Sequence, residues 1–239
     1  GWTIRGLGQD HPEFVFNERL HDRGDKVVLG HAIKGGGQDE GDAVIHLLAT
    51  HPATAKFISY KLARRFVADE PPAALVERAA EAFRKTDGDI RAVVETIVTS
   101  PEFLGTEHRA AKIKTPFEFA ASAARAAGAE VRDARDLARR VGQMGMPLYL
   151  QQPPTGYKDT AEAWVSTSGL LARLNLALDL AAGKVRGVTV DPEVLAVPAR
   201  LVPGGLSAAT QKTLEGESAG ANPTRVAGLI LGSPEFQRR

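Results

Sequence analysis

Cysteine is missing from the chain altogether. Disulfides, thiolate nucleophiles, zinc ribbons, iron–sulfur clusters and cysteine-linked haem are therefore excluded. The compartment stays open, because a cysteine-free chain suits the cytoplasm and equally an exported protein that is stable without disulfides. An excess of one charge is missing too. Thirty Lys and Arg stand against 29 Asp and Glu, for a net charge of +1, so nucleic acid finds no electrostatic footprint. No apolar run approaches the ~20 residues that span a bilayer. There is no G-x-x-x-x-G-K-[ST], H-E-x-x-H or EF-hand loop. Methionine is absent from the start: the chain opens on Gly1, and its only methionines are Met144 and Met146. The opening GWTIRGLG lacks the charged start and apolar core of a signal peptide. We expect that an upstream segment, with any targeting signal, has been removed.

What is present is ordinary globular material, 239 residues with 43% hydrophobic and 25% charged, enough for one large domain or two small ones. After residue 38 the pattern is helical nearly everywhere. Val44, Leu47 and Leu48 share a face, as do Ile58, Leu62 and Phe66, then Leu75, Ala79 and Phe83. Ile90, Val93, Val94 and Ile97 follow, then Leu137, Val141 and Met144, then Leu171, Leu174 and Leu178. Spacings of three and four mark the core stripe of an amphipathic helix. Pro52, Pro116 and Pro223 each open a helical run, where the missing N–H costs nothing. Thr115 and Glu118 form a T-x-x-E capping box. Short breaks at DEPP, TDGD, AAGAE and QQPPTGYKD separate the helices. The expected fold is mainly α, an antiparallel helical assembly with a small β-hairpin near the N-terminus.

That hairpin is expected over residues 14 to 30, FVFNERLHDRGDKVVLG, with Asp22 or Asp25 bonding backbone N–H groups in its glycine turn. The same stretch offers His21 and Asp22 as an acid–base pair, or with Asp25 as ligands for a divalent metal. Adjacent strand residues face opposite ways, which favours the structural reading. Residues 185 to 205, rich in proline, read as a loop with short extended pieces. SPEF occurs twice, at 100 to 103 and 233 to 236, as a local stop signal or the mark of two similar helical halves. KGGGQDEGD at 34 to 42 has the glycines of a phosphate cradle, but Asp39, Glu40 and Asp42 sit where the phosphate would go. They read better as acids at a helix N-terminus. His46 and His51 read as boundary residues. In KLARRF, Lys61, Arg64 and Arg65 form a solvated face or an anion clamp. In PPTGYKDTAEAW, Tyr157 and Trp164 line a ligand groove or anchor a loop. The candidate ligand-binding residues are thus His21, Asp22, Lys26, Arg64, Arg65, Tyr157 and Trp164. No metal and no cofactor is expected.

GWTI, FVFNERLHDRGDKVVLG, LLATHPATAKFISYKLARRFVADEPP, SPEF, KTPFEFAASAARA, MGMPLY, PPTGYKD, LLARLNLA and a terminal SPEF occur in that order. In this the chain closely resembles the C-terminal half of the bacterial proteins of domain-of-unknown-function family 1800. The resemblance brings no catalytic residues with it. It implies that residues 1 to 239 are the C-terminal portion of one larger helical domain, with the missing N-terminal half as first partner. It also implies a periplasmic or extracellular setting and a sulfatase-like companion protein. The expected function is an exported bacterial binding or assembly module for an envelope polymer or partner protein. The alternative is a hydrolase whose active site is shared with the missing half.

Overall fold

The computed structural model describes residues 1–218 and 222–239. About 52% of the chain is helical, and every sheet among the described residues is a two-stranded antiparallel ribbon. The mainly α fold is as the periodicity requires. Among the described residues no helix is long and apolar enough to cross a membrane. The chain divides into two compact units, residues 1–66 with 71–104, and residues 67–70 with 105–239.

The first unit opens with strands β1 (Trp2–Arg5) and β2 (Glu13–Phe16), paired from Trp2–Phe16 to Arg5–Glu13. A second ribbon, β3 (Lys26–Val28) with β4 (His31–Ile33), turns at Leu29 and Gly30, both at positive φ (49° and 80°). That is the primed turn which matches strand twist. The two ends of the 14–30 segment therefore pair outward, each with a neighbour outside or at the edge of it, and not with one another. Phe14 is claimed by Trp2, whose ring meets it edge-on at 5.1 Å. A 3-10 turn at Glu18–Leu20, capped by Asn17, then redirects the chain. Within the DRGD loop, Asp22 accepts from the Gly24 N–H at 2.9 Å and Asp25 from the Gly35 N–H at 3.0 Å.

Helices α1 (Gln38–Thr50), α2 (Pro52–Phe66), α3 (Ala73–Lys85), α4 (Ile90–Val98) and α5 (Pro101–Leu104) complete this unit. Its core is Ala55 and Ala63 from α2, Leu75, Val76, Ala79, Ala80 and Phe83 from α3, and Val93 and Ile97 from α4. Small residues on α2 and α3 let these helices approach closely. Leu48, Phe66 and Ile90, read as core from their spacing, are exposed. The α2 face that is buried carries Ala55, Ser59 and Ala63 instead.

The second unit holds α6 (Pro116–Ala126), α7 (Arg135–Gln143), α8 (Thr167–Ala181), α9 (Pro192–Leu195), α10 (Pro198–Leu201), α11 (Ala208–Ser218) and α12 (Pro223–Leu231). A short ribbon joins β5 (Glu130–Val131) to β6 (Val188–Thr189). The Thr115–Glu118 capping box forms, with the Thr115 N–H donating to Glu118 Oε2 at 2.8 Å. The proline-rich 185–205 segment is more helical than expected. Pro192 and Pro198 each occupy a first helical position, so they start α9 and α10. Phe119, Ala123, Val141, Leu176, Leu180, Leu201, Ile230 and Leu231 lie in one core. Two glycines bring α12 onto α8. A Cβ at Gly228 would stand 2.9 Å from the Leu178 Cα, and one at Gly232 would stand 2.6 Å from Leu174 Cδ1.

The buried stripe of α8 differs from the expected Leu171, Leu174 and Leu178. Leu171 is exposed, and the fully buried positions include Arg173, Leu176, Ala177 and Leu180. Both SPEF segments are capped alike, Ser100 Oγ accepting from the Phe103 N–H and Ser233 Oγ from the Phe236 N–H. The C-terminal tail lies along the residues before α6. Arg239 N–H donates to the Lys112 carbonyl (2.9 Å) and Lys114 N–H to the Gln237 carbonyl (2.8 Å).

Candidate functional site

In the first unit the chemistry converges on Glu40, a residue that sequence reasoning read only as a helix-end acid. Glu40 is the third residue of α1, so its side chain reaches back over the helix start. Its Oε1 accepts from the N–H groups of Gly36 (2.6 Å) and Gly37 (2.9 Å) and lies 2.8 Å from His21 Nε2. Lys26 Nζ meets Oε2 at 2.5 Å. The side chain is 7% exposed. Lys26 first, then the two glycine N–H groups and His21, hold this carboxyl far below the usual carboxylate range. The glycine loop does cradle an anion, and the anion is the protein's own.

His21 and Lys26 are thus brought together, whereas Asp22 is spent on the turn. Its carboxylate caps Gly24, and its carbonyl accepts from Lys26 Nζ. His21 stacks edge-on to Phe16 at 5.2 Å and borders a cavity of about 320 Å³ with Glu18, Arg23 and Gln38. A histidine oriented by a carboxylate is the base half of a catalytic constellation. A carboxylate this well paired cannot itself move protons near neutral pH. Among the described residues no three His, Asp or Glu side chains are grouped to hold a metal ion. Of the other first-unit candidates, Arg64 stacks on Tyr60 (4.6 Å) and donates to its hydroxyl, and Arg65 is half-buried beside it in the last turn of α2.

In the second unit, Tyr157 and Trp164 lie together, ring centres 6.0 Å apart. Trp164 is 5% exposed and donates through Nε1 to the Lys158 carbonyl at 3.1 Å. The Tyr157 hydroxyl donates to the Pro147 carbonyl. Both polar tips are committed to backbone, the arrangement of a loop anchor.

The same unit holds a cavity of about 670 Å³ that no local motif announced. Arg109, Lys114, Arg238 and Arg239 border it, with Thr106 and Glu235, over a floor containing Leu201, Val202 and Phe236. Lys114 Nζ donates to the Phe236 carbonyl at 2.7 Å and sits 3.9 Å from the centre of the Phe236 ring. Burial, with Arg173 and Arg239 adding to it, pushes the Lys114 ammonium down to about 8, although Glu118 opposes them. Arg173, wholly buried behind it, donates to the Lys114 carbonyl (2.8 Å) and to Gln237 Oε1 (2.9 Å), and lies over the Phe119 ring at 5.3 Å. Arg239 pairs with Glu118 at 3.2 Å. Beside them Lys112, 3% exposed, pairs with Asp69 at 2.5 Å. Among the described residues Glu235 is the one acidic side chain on the cavity wall. Burial raises it, but the Ser207 N–H and hydroxyl, its own backbone and the Thr210 hydroxyl outweigh burial and hold it at about 2.

A family model described as "Protein of unknown function (DUF1800)" matches residues 1–238. The chain belongs to the DUF1800 family. No curated protein and no solved structure matches it. Membership in DUF1800 brings the order of motifs noted above and no assigned chemistry, so a functional reading of this DUF1800 chain has to come from its own geometry. The charge imbalance around the larger cavity is the strongest such feature.

Proposed function

We propose that this protein is a bacterial envelope binding or assembly module and that its ligand is anionic, bound in the cavity of the second unit. One observation carries the reading: four cationic side chains border a 670 Å³ cavity where, among the described residues, the one acidic side chain, Glu235, is already satisfied by Ser207 and Thr210. The volume falls in the ordinary range for ligand sites, about 300–1,000 Å³. Arginine forks suit carboxylate and phosphate oxygens, and low-dielectric walls concentrate the positive field. The exported setting and a sulfatase-like companion belong to the same reading and rest on the family resemblance. Titration calorimetry with inorganic triphosphate and with a polyuronate tests it. Binding should weaken with added salt and be lost in Arg109→Ala/Arg238→Ala. Absence of heat with both anions at low salt would sink the idea.

A hydrolytic reading has one observation in its favour, the His21–Glu40 pair at the wall of the smaller cavity. Its test is turnover of chromogenic ester and phosphodiester substrates. Activity abolished by His21→Ala would support it, and no turnover would remove it.

A further inference from the structure

We infer that the cavity between Arg109 and Arg239 takes an amphiphilic anion, one carboxylate or phosphate head on an apolar body, in preference to a bare inorganic anion. The inference rests on the anion-binding reading above and adds the nature of the rest of the ligand.

The charges and the apolar surface fall in different parts of the lining. Arg109, Arg238 and Arg239 are exposed, and among the described residues no side-chain hydrogen bond or ion pair holds the Arg109 guanidinium. Arg238 has a single long bond, 3.4 Å, to the Ala110 carbonyl. The Arg109 and Arg238 forks are available at the rim, whereas Arg239 pairs with Glu118 at 3.2 Å. Leu201, Val202 and Phe236 are buried side chains of the core, and Ala110 and Pro203 extend their surface outward. Most of the lining is apolar. Gly204 and Gly205 keep the edge beside Pro203 free of side chains, and a Cβ built at either would touch nothing within 4 Å. A bare phosphate would fill the rim and leave the floor wetted. An alkyl or ring body would cover it, and each buried methylene strengthens binding about fourfold.

Lys114 fixes the depth of the head group. Its ammonium is pinned to the Phe236 carbonyl and ring at the junction of rim and floor. A head reaching Lys114 and Arg109 together therefore places its body along Val202 and Pro203. Glu235 closes the remaining side with a negative charge, which excludes a second anionic group there.

The test compares four probes on the intact chain by calorimetry below any micelle threshold: dodecanoate, dodecyl phosphate, the neutral dodecyl maltoside and inorganic triphosphate. Wild type, Arg109→Ala/Arg238→Ala and Pro203→Glu are measured, with a thermal melt of each variant to confirm folding. The expected result is that dodecanoate or dodecyl phosphate binds about a hundredfold more tightly than triphosphate. Both variants should weaken the amphiphile at least about tenfold, and dodecyl maltoside should not compete. Preference between the two charged amphiphiles identifies the head as carboxylate or phosphate. Triphosphate binding as well as the amphiphiles, with loss in Arg109→Ala/Arg238→Ala, overturns the amphiphile while leaving the anion site standing. Dodecyl maltoside binding as well as dodecanoate, with the arginine variant unaffected, overturns both. No binding of any probe also overturns both.

Discussion

The guanidinium of Arg173 donates to the backbone carbonyl of Lys114 at 2.8 Å, so a fully buried cation fixes the chain at the residue that presents the cavity's innermost charge. Arg173 also holds Gln237, and through it the tail that carries Arg238 and Arg239. Two elements bordering one cavity depend on one side chain.

Replacing Arg173 by Met keeps roughly the volume and removes both donors. The Lys114 carbonyl and Gln237 Oε1 then lose buried partners, each costing about 1–3 kcal/mol. We expect Arg173→Met to destabilise the second unit by about 3 kcal/mol, read as a lower urea midpoint. A loss below about 1 kcal/mol would mean that the tail is held without it.

Lys114 predicts a pH dependence of binding. Its ammonium titrates at about 8 in the folded chain against about 10.4 unfolded. Anion affinity should fall as pH rises through about 8, and Lys114→Met should flatten that limb. The stability effect has the opposite sign. Between those two values the unfolded chain binds the extra proton, so this group makes folding more favourable as pH rises. Calorimetric titrations at pH 7 and 9, with melts from pH 7 to 10, check both.

Glu40 acts at the other end of the pH scale. Its folded carboxyl lies far below the unfolded value of about 4.3. The stabilisation is fully present above that value and is lost as pH falls below it. Wild type should lose melting temperature steeply below about pH 4, and Glu40→Gln should start lower and show a shallower slope. An unchanged slope in the variant would assign the acid sensitivity elsewhere.

Gly228 and Gly232 separate helix propensity from packing. Gly228 lies inside α12, where alanine gains about 1 kcal/mol over glycine, whereas Gly232 is the C-cap of α12 and has no such gain. Overpacking costs about 1–3 kcal/mol. At Gly228 the obstacle is the Leu178 Cα, which cannot rotate away, so Gly228→Ala should be destabilising by about 1 kcal/mol. At Gly232 it is the end of the Leu174 side chain, so Gly232→Ala should be nearly neutral. Equal effects in paired urea melts would refute the close approach of α8 and α12.

Helix existence was legible in the sequence, because periodicity, the first-turn prolines and the Thr115–Glu118 box are local signals. Strand pairing over residues 14 to 30 was not, since the choice between β1 and a later strand as partner for β2 is not local. The buried face of α8 was missed for a similar reason. Arginine reads as surface until a ring, a carbonyl and an amide from elsewhere in the fold receive it. The Glu40 site left one readable trace, a glycine N-cap three residues before the acid. The cationic cavity left none, because segments near residues 106–114, 201–205 and 235–239 build it together.

The Lys114–Phe236 bond spans 122 positions, which sets an order of assembly. A chain made from its N-terminus presents Arg109 and Lys114 long before Phe236 and Arg239 exist. Such distant closure is slow to nucleate, although its entropy grows only by about 0.6 kcal/mol per doubling of length. The cavity is therefore among the last features of its unit to appear. Capture of an anion there reports that folding of the unit has finished, and a ligand present during refolding should change the final yield more than the early rates.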